Sequence, residues 1–171
     1  MITIRNYRET DSVQVGNLIA DTYAKFNLDF ASPEELPKLL GPFRHARSTE
    51  QFHKDAIVEI LKARMILVAE ENGEIVGVLR GRNERLHSLF VREDHHRRGI
   101  GRMLMEKFEQ ECIAQGASKI TLLATLYAVP FYMAIGYRRS TGVRSGWSFE
   151  ARGLKYQPMK KVLPFRAPQI K

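Results

Sequence analysis

The sequence predicts an α/β (α+β) sandwich: a mixed, mostly antiparallel twisted sheet of six to seven strands, flanked by about four helices, with a strand–helix–strand crossover at its centre. Two observations carry this reading. "MILVAEENGEIVGVLR" sets two β-branched runs on either side of Asn72-Gly73, a pair that suits a tight hairpin because both central residues take positive φ. "RLHSLFV" then passes through a glycine turn into the amphipathic run "RMLMEKFEQECIAQ", and "KITLLAT" follows as the next strand.

The elements follow in order. "ITIR" alternates like a short strand, and Asp11 with Gln14 reads as a capping pair for a helix over Val13 to Phe26. "LDFASPEELPKLLGPFRHARS" carries three prolines and no steady period, so irregular chain or broken helix is expected there. Ser48 with Gln51 repeats the capping pattern before a helix through Phe52, Ala56, Ile60 and Leu61. The helix after the glycine turn is expected from about Arg102 to Gln115, with Leu104, Phe108 and Cys112 on one face and Gly116 as its C-cap. "VPFYMAI" reads as a short helix with Pro130 in its first turn, and "YRRS" and "LKYQPMKKV" as closing strand segments. No repeat, low-complexity run or linker divides the chain. Residues 1–171 are therefore expected to form a single domain, with helices and a loop over 1–65, a core over 66–161 and a tail over 162–171.

Composition narrows the class. Hydrophobic residues at 44% and charged residues at 27% suit a globular domain able to bury a core. A single cysteine excludes an intramolecular disulfide framework and suits a reducing cytosol, so a cytoplasmic location is expected. No apolar run approaches a membrane span, and "MITIRNYRETD" is charged within five residues, so neither an anchor nor a signal peptide is expected. The net charge of +8 favours an anionic partner: a phosphorylated cofactor, nucleic acid or an acidic protein. Nucleic acid is disfavoured, because the basic residues concentrate at one turn instead of forming a stripe interleaved with aromatics.

That turn is "HHRRGIG", His95 to Gly101. A helix N-terminus offers unpaired N–H groups and a positive dipole end, and glycines let an anion approach the backbone. There is no Gly-Lys-Ser/Thr and no third glycine, which sets aside the nucleotide-triphosphate loop and the dinucleotide fingerprint. Taken alone, the turn reads equally as a phosphate cradle or as a solvated basic turn.

The longer string decides between them. "RLHSLFVREDHHRRGIGRMLMEKFEQECIAQG", followed by "ITLLATLYAVPFYMAIGYRRSTG", resembles the core of the GCN5-related N-acetyltransferase (GNAT) superfamily. There a strand enters a Gln/Arg-x-x-Gly-x-Gly/Ala turn and a helix, and a second strand leads on to an "FY" pair and "GF" or "GY". The resemblance covers about residues 66 to 161, including the closing "PMKK" strand. It implies a GNAT-like fold, acetyl-coenzyme A as co-substrate without a metal, and transfer of the acetyl group to a primary amine of a small molecule in a ternary complex. An acyl-coenzyme A sensor without catalysis is the alternative, and a homodimer is compatible with either.

Carried over residue by residue, the turn residues His96, Arg97, Arg98, Gly99, Ile100, Gly101 and Arg102 would hold the pyrophosphate. His96 stands where the family has Gln or Arg. Backbone groups of Leu89, Phe90 and Val91 would pair with the pantetheine arm like an added strand. Thr125, Tyr127 and Ala128 would line the same channel, and Tyr132 would be the acid that protonates the leaving thiolate. The strand period of two puts Arg85, His87, Leu89 and Val91 on one face. Some family members place a base near the start of that face. Arg85 is no base, so His87, alone or through a water, is the candidate. A half-exposed strand histidine is the competing reading, with Glu84 and Glu71 as fallback bases. The loop "NLDFASPEELPKLLGPFRHARS" and the hairpin "STGVRSGWSFEARG" are expected to form a basic, aromatic acceptor lip that disfavours basic tails.

Overall fold

The computed structural model describes residues 1–164, so the expected tail from residue 165 onward lies outside the described residues. The chain order is β1 (Ile2–Asn6), α1 (Ser12–Phe26), α2 (Leu36–Leu40), α3 (Gln51–Leu61), β2 (Met65–Glu71), β3 (Glu74–Arg82), β4 (Arg85–Val91), α4 (Ile100–Ala114), β5 (Lys119–Thr125), α5 (Val129–Ala134), β6 (Arg138–Arg139), β7 (Arg144–Ser148) and β8 (Ala151–Val162). All eight strands join one mixed sheet in the order β1-β2-β3-β4-β5-β8-β6, with β7 also on β8. The β4–β5 pair is parallel and the others are antiparallel, as a crossover through α4 requires. The count exceeds six to seven because the closing segments divide into β6, β7 and the long β8.

Local chemistry explains most of the elements. Asn72 and Gly73 take φ of 53° and 84° and close the β2–β3 hairpin as their sequence demands. The proline-rich stretch forms the one-and-a-half-turn α2 and a 3₁₀ turn over Gly41–His45. Both predicted capping pairs are replaced by other contacts. Asp11 accepts two hydrogen bonds from the Arg5 guanidinium, at 2.7 and 2.9 Å, and one from the Arg8 N–H at 2.8 Å, which leaves α1 without a side-chain cap. Gln14 instead reaches across to the hairpin, its Oε1 accepting from the Ile75 N–H at 2.9 Å. Ser48 Oγ accepts from the Glu50 N–H at 3.1 Å, while α3 begins at Gln51 without a side-chain cap.

The sheet separates two cores. On one face, Leu104, Met105, Phe108 and Cys112 of α4 pack on Leu67, Leu79, Leu122 and Met159, all essentially without exposure. Gly81 of β3 is needed here, because a Cβ there would lie 2.8 Å from the Phe108 ring and from the Arg85 carbonyl. On the other face, Val15, Ile19 and Tyr23 of α1 with Ile57 and Leu61 of α3 cover Val68, Val78 and Phe90. Fully burying a side chain of this size contributes about 1.5–3 kcal/mol.

Two irregularities shape the middle of the sheet. Arg80 pairs with Ser88 but Gly81 with Leu86, so His87 is an extra residue in β4, a β-bulge. The strict alternation expected along β4 therefore breaks at His87, and Leu86 packs in the same layer as Leu89 and Val91. The β4–β5 pairing is confined to the Arg85–Thr121 bridge, so β4 beyond its bulge leaves one backbone edge without a strand partner.

Candidate active site

Two cavities meet at that unpaired edge. The larger, of about 400 Å³, runs along β4 to the glycine turn and is bounded by Thr22, Leu89, Phe90, Val91, His95, His96, Arg97, Gly99, Ile100, Gly101, Arg102, Tyr127, Ala128, Phe131 and Tyr132. The smaller, of about 60 Å³, fills the wedge between β4 and β5 and is lined by His87, Ser88, Thr125, Tyr156 and Asn27 among others. Leu89, Phe90, Tyr127, Ala128 and Tyr132 line both. The structure thus brings the predicted site residues together, with Thr125 on the wedge side alone and Arg98 outside both linings.

The glycine turn is built for close approach. Arg97 and Gly99 take positive φ of 64° and 79°, and Gly99 caps α4 in the left-handed conformation. The first helical hydrogen bond runs from the Met103 N–H to the Gly99 carbonyl at 3.0 Å, so the amides of Ile100, Gly101 and Arg102 precede it with no helical partner. A Cβ on Gly101 would come within 3.1 Å of the Phe131 ring, so a side chain there would press on the wall of the groove. Amides aimed outward, the helix dipole and the flanking arginines fit a pyrophosphate.

Tyr132 is buried at 7% exposure in α5, its ring edge-on to Phe131 and Tyr137 at 5.0 and 5.8 Å. Burial, then the neighbouring Tyr127, pushes its phenol above the ordinary tyrosine value, so it remains protonated. His87 is exposed on its bulge at the other side of the wedge. Partial desolvation, then the charges of Arg80, Arg82 and Arg85, lowers its imidazole below the usual value, which keeps it neutral and able to accept a proton. An acid and a base form therefore flank one small cleft.

A family model described as acetyltransferase (GNAT) domain matches residues 28–163. The chain belongs to the GNAT acetyltransferase family. Solved structures of the same fold include a GCN5-related N-acetyltransferase from Rhodopseudomonas palustris, at 21% identity and a TM-score of 0.73, covering 94% of this chain and 95% of that one. The PaiA N-acetyltransferase from Thermoplasma acidophilum, in complex with coenzyme A, gives 15% identity and a TM-score of 0.69 over 95% of this chain and 99% of that one. The ribosomal-protein-S18-alanine N-acetyltransferase from Escherichia coli gives 16% and 0.66 over 100% and 99%. No curated protein sequence matches significantly.

In this GNAT domain the four basic and imidazole residues of the turn divide into two pairs. His95, His96 and Arg97 all border the groove, but the His95 ring and the Arg98 guanidinium are directed to a carboxylate on β2. Arg98 grips Glu71 with two hydrogen bonds of 3.0 and 2.7 Å, and the buried His95 places Nε2 at 3.0 Å from Glu71 and Nδ1 at 2.6 Å from Asp94. Arg98, expected at the pyrophosphate, instead fastens the turn to the sheet. Glu71, one fallback base, is held to about 2 by Arg98 first and then His95, and it lies away from the wedge. Glu84, the other fallback, sits in the β3–β4 turn with its carboxylate 3.4 Å from the Ser118 N–H. His96 Nε2 donates to the Val91 carbonyl at 2.8 Å, so part of the edge expected to receive the pantetheine arm is already engaged.

Phe26, at the end of α1, packs 5.1 Å from His96 and 6.0 Å from Tyr127. It brackets the groove between the turn and the segment before α5, a position that its place at the end of the first predicted helix did not convey. Among the described residues no group of three His, Cys, Asp or Glu side chains is placed to hold a metal, and no helix is long and apolar enough to cross a membrane.

Proposed function

We propose that this GNAT domain is an acetyl-coenzyme A-dependent N-acetyltransferase acting on the primary amine of a small molecule by direct attack in a ternary complex. The observation that carries this reading is the junction of the two cavities. Tyr132 lines both the groove that ends at the pyrophosphate-type turn and the wedge that holds His87. Acetyl-coenzyme A fits with its phosphates on the amides of Gly99 to Arg102, its pantetheine arm along the free edge of Leu89 and Phe90, and its thioester at the junction.

The chemistry follows. The neutral amine attacks the thioester carbonyl carbon, a C–N bond forms and the C–S bond breaks. His87, directly or through a water, takes the proton the amine loses, and the Tyr132 hydroxyl gives its proton to the departing sulfur. The products are the acetamide and the free thiol of coenzyme A. A protonated phenol beside a neutral imidazole is the pairing this requires. Proteins of the same fold include acetyltransferases named for a ribosomal-protein alanine and for an aminoglycoside, and the constricted wedge supports a small amine here.

Thermal-shift titration with acetyl-coenzyme A, followed by thiol release with an amine panel, tests the reading. Binding is expected to raise the melting temperature, and Gly101→Glu, which drives a side chain at Phe131, is expected to remove that rise. Absence of any stabilisation by acetyl-coenzyme A overturns the reading. Stabilisation without thiol release from any amine replaces it with the non-catalytic sensor.

A further inference from the structure

The acceptor face of the sheet carries positive charge with no carboxylate to answer it. Strand register puts Arg85, Thr121 and Lys160 in one row across β4, β5 and β8. Arg82 is the cross-strand partner of Arg85, and Arg144 sits beside Tyr156 and Thr125 one cavity-width further along. Ile120, Leu122 and Ala124 are buried in the α4 layer, so Thr121, Thr125 and their row partners face the opposite side; Thr125 and Tyr156 line the wedge, Arg144 is the strand partner of Tyr156, and Arg85 precedes the wedge residue Leu86. Among the described residues, Arg82, Arg85, Arg144 and Lys160 form no ion pair, whereas Arg5, Arg47, Arg92 and Arg98 each have a carboxylate. Arg85 is partly enclosed and donates to the Thr121 hydroxyl at 3.2 Å, with the charges of Arg144 and Arg82 close enough to disfavour its own.

Solvated cations on a surface need no ligand, so the wedge supplies the second observation. Two buried oxygens there lack hydrogen-bond partners: the Tyr156 hydroxyl, on a residue 5% exposed, and Asn27 Oδ1. The Ser148 hydroxyl lies close enough to Tyr156 to act on its phenol, yet no hydrogen bond of full geometry joins them. A buried polar atom left unpaired is costly; Asn27 Oδ1 can only accept and the Tyr156 hydroxyl can accept as well as donate, so a ligand that donates hydrogens satisfies both. An amine does so.

We infer that the acceptor is a short primary amine bearing an anionic group, its nitrogen held in the wedge by Tyr156 and Asn27 and its anion held by Arg85 and Arg144. This rests on the acetyltransferase reading and narrows its substrate class. The anion is a carboxylate or a phosphate. Arg85 lies two residues before the bulged His87, close to the proposed base, so a short spacer separates the amine from the anion. A diamine or a lysine-rich tail would bring a second positive charge against this row.

The test uses four primary amines of matched spacer length: one ending in a carboxylate, one in a phosphate, one in the neutral amide and one in a second ammonium. Thiol release by the full chain is expected to give one of the anionic amines a kcat/KM roughly tenfold or more above the amide, with the diamine lowest. That preference is expected to shrink as salt rises. Arg85→Gln and Arg144→Gln are expected to raise KM for the anionic amine while acetyl-coenzyme A still stabilises each variant, which shows that they fold. The carboxylate and phosphate arms identify the anion, and a preference for either supports the inference. Equal use of the amide or the diamine overturns it and leaves acetyl transfer standing, as does a preference that neither arginine variant alters. No thiol release from any of the four, with acetyl-coenzyme A bound, overturns this inference, and the transfer reading falls with it only where the wider amine panel is silent as well.

Discussion

Tyr132 lines both cavities and shares that position with one other phenol, Tyr127. Its replacement by phenylalanine keeps the ring packing on Phe131 and Tyr137 and removes only the proton. Tyr132→Phe is therefore expected to lower kcat by about 10²-fold while the acetyl-coenzyme A thermal shift is retained, a split read by steady-state kinetics beside the melting curve. His87 makes a prediction in pH. Its folded pKa lies below the ordinary 6.5, so the base form is lost only as pH falls beneath that value. The acid limb of kcat/KM is expected to have its midpoint below pH 6.5, and His87→Gln to abolish that limb. A limb unchanged in the variant assigns the base elsewhere. Tyr132 was legible in the sequence through the "FY" pair and its family resemblance. His87, expected as the base, lines the wedge, but the pattern that selected it is not the one the strand follows. The period of two that selected it breaks at that very residue, because a bulge is made by the register with β3 and leaves no mark in β4 itself.

The glycine turn shows how an element is held from outside. Glu71 closes β2, 24 and 27 residues before the His95 and Arg98 that it binds. Its carboxyl is near 2 in the folded protein against an ordinary 4.5. The unfolded chain therefore takes up that proton first as pH falls, so the stabilisation is complete above about pH 4.5 and disappears as pH drops through about 2. Glu71→Gln is expected to melt below the parent protein at neutral pH and to converge with it in acid, a comparison made by thermal melts across pH. It is also expected to weaken acetyl-coenzyme A binding, since the turn loses its anchor. The hairpin, the turn and α4 were all legible, because each is written in neighbouring residues: Asn72-Gly73, Gly99 and Gly101, and an apolar face at helical spacing. The two capping pairs were misread for the complementary reason. Arg5 lies on a different element and claims the carboxylate of Asp11, and Gln14 finds a hairpin amide 61 residues away.

Over the whole molecule, Arg80 joins the layers. It is 9% exposed, and it donates to the Leu61 and Ile60 carbonyls at the end of α3, at 2.9 and 2.8 Å, while its guanidinium lies 5.1 Å from the Phe149 ring. Burial lowers it to about 10, yet the carboxyl end of α3 supplies the negative potential that a carboxylate would otherwise provide. Arg80→Met would leave two buried carbonyls unpaired. It is expected to cost about 2–4 kcal/mol in denaturant unfolding with an unchanged slope. No local pattern announces such a residue: an arginine in "IVGVLRGR" reads as the solvent side of a strand until α3 is seen to end against it. The family and the cofactor side were legible in the chain. The acceptor side was less so, because it is assembled from β4, β5, β7 and β8 and from the end of α1.

Cys112 is the protein's one thiol, fully buried in the α4 layer, where enclosure first of all raises its pKa above the ordinary value. A disulfide reagent added to the native protein therefore meets no accessible sulfur. Colour that develops during turnover belongs to released coenzyme A, with no background from the polypeptide. The same side chain becomes an internal clock for opening of that core: its labelling rate in the absence of substrate counts the excursions in which α4 lifts from the sheet.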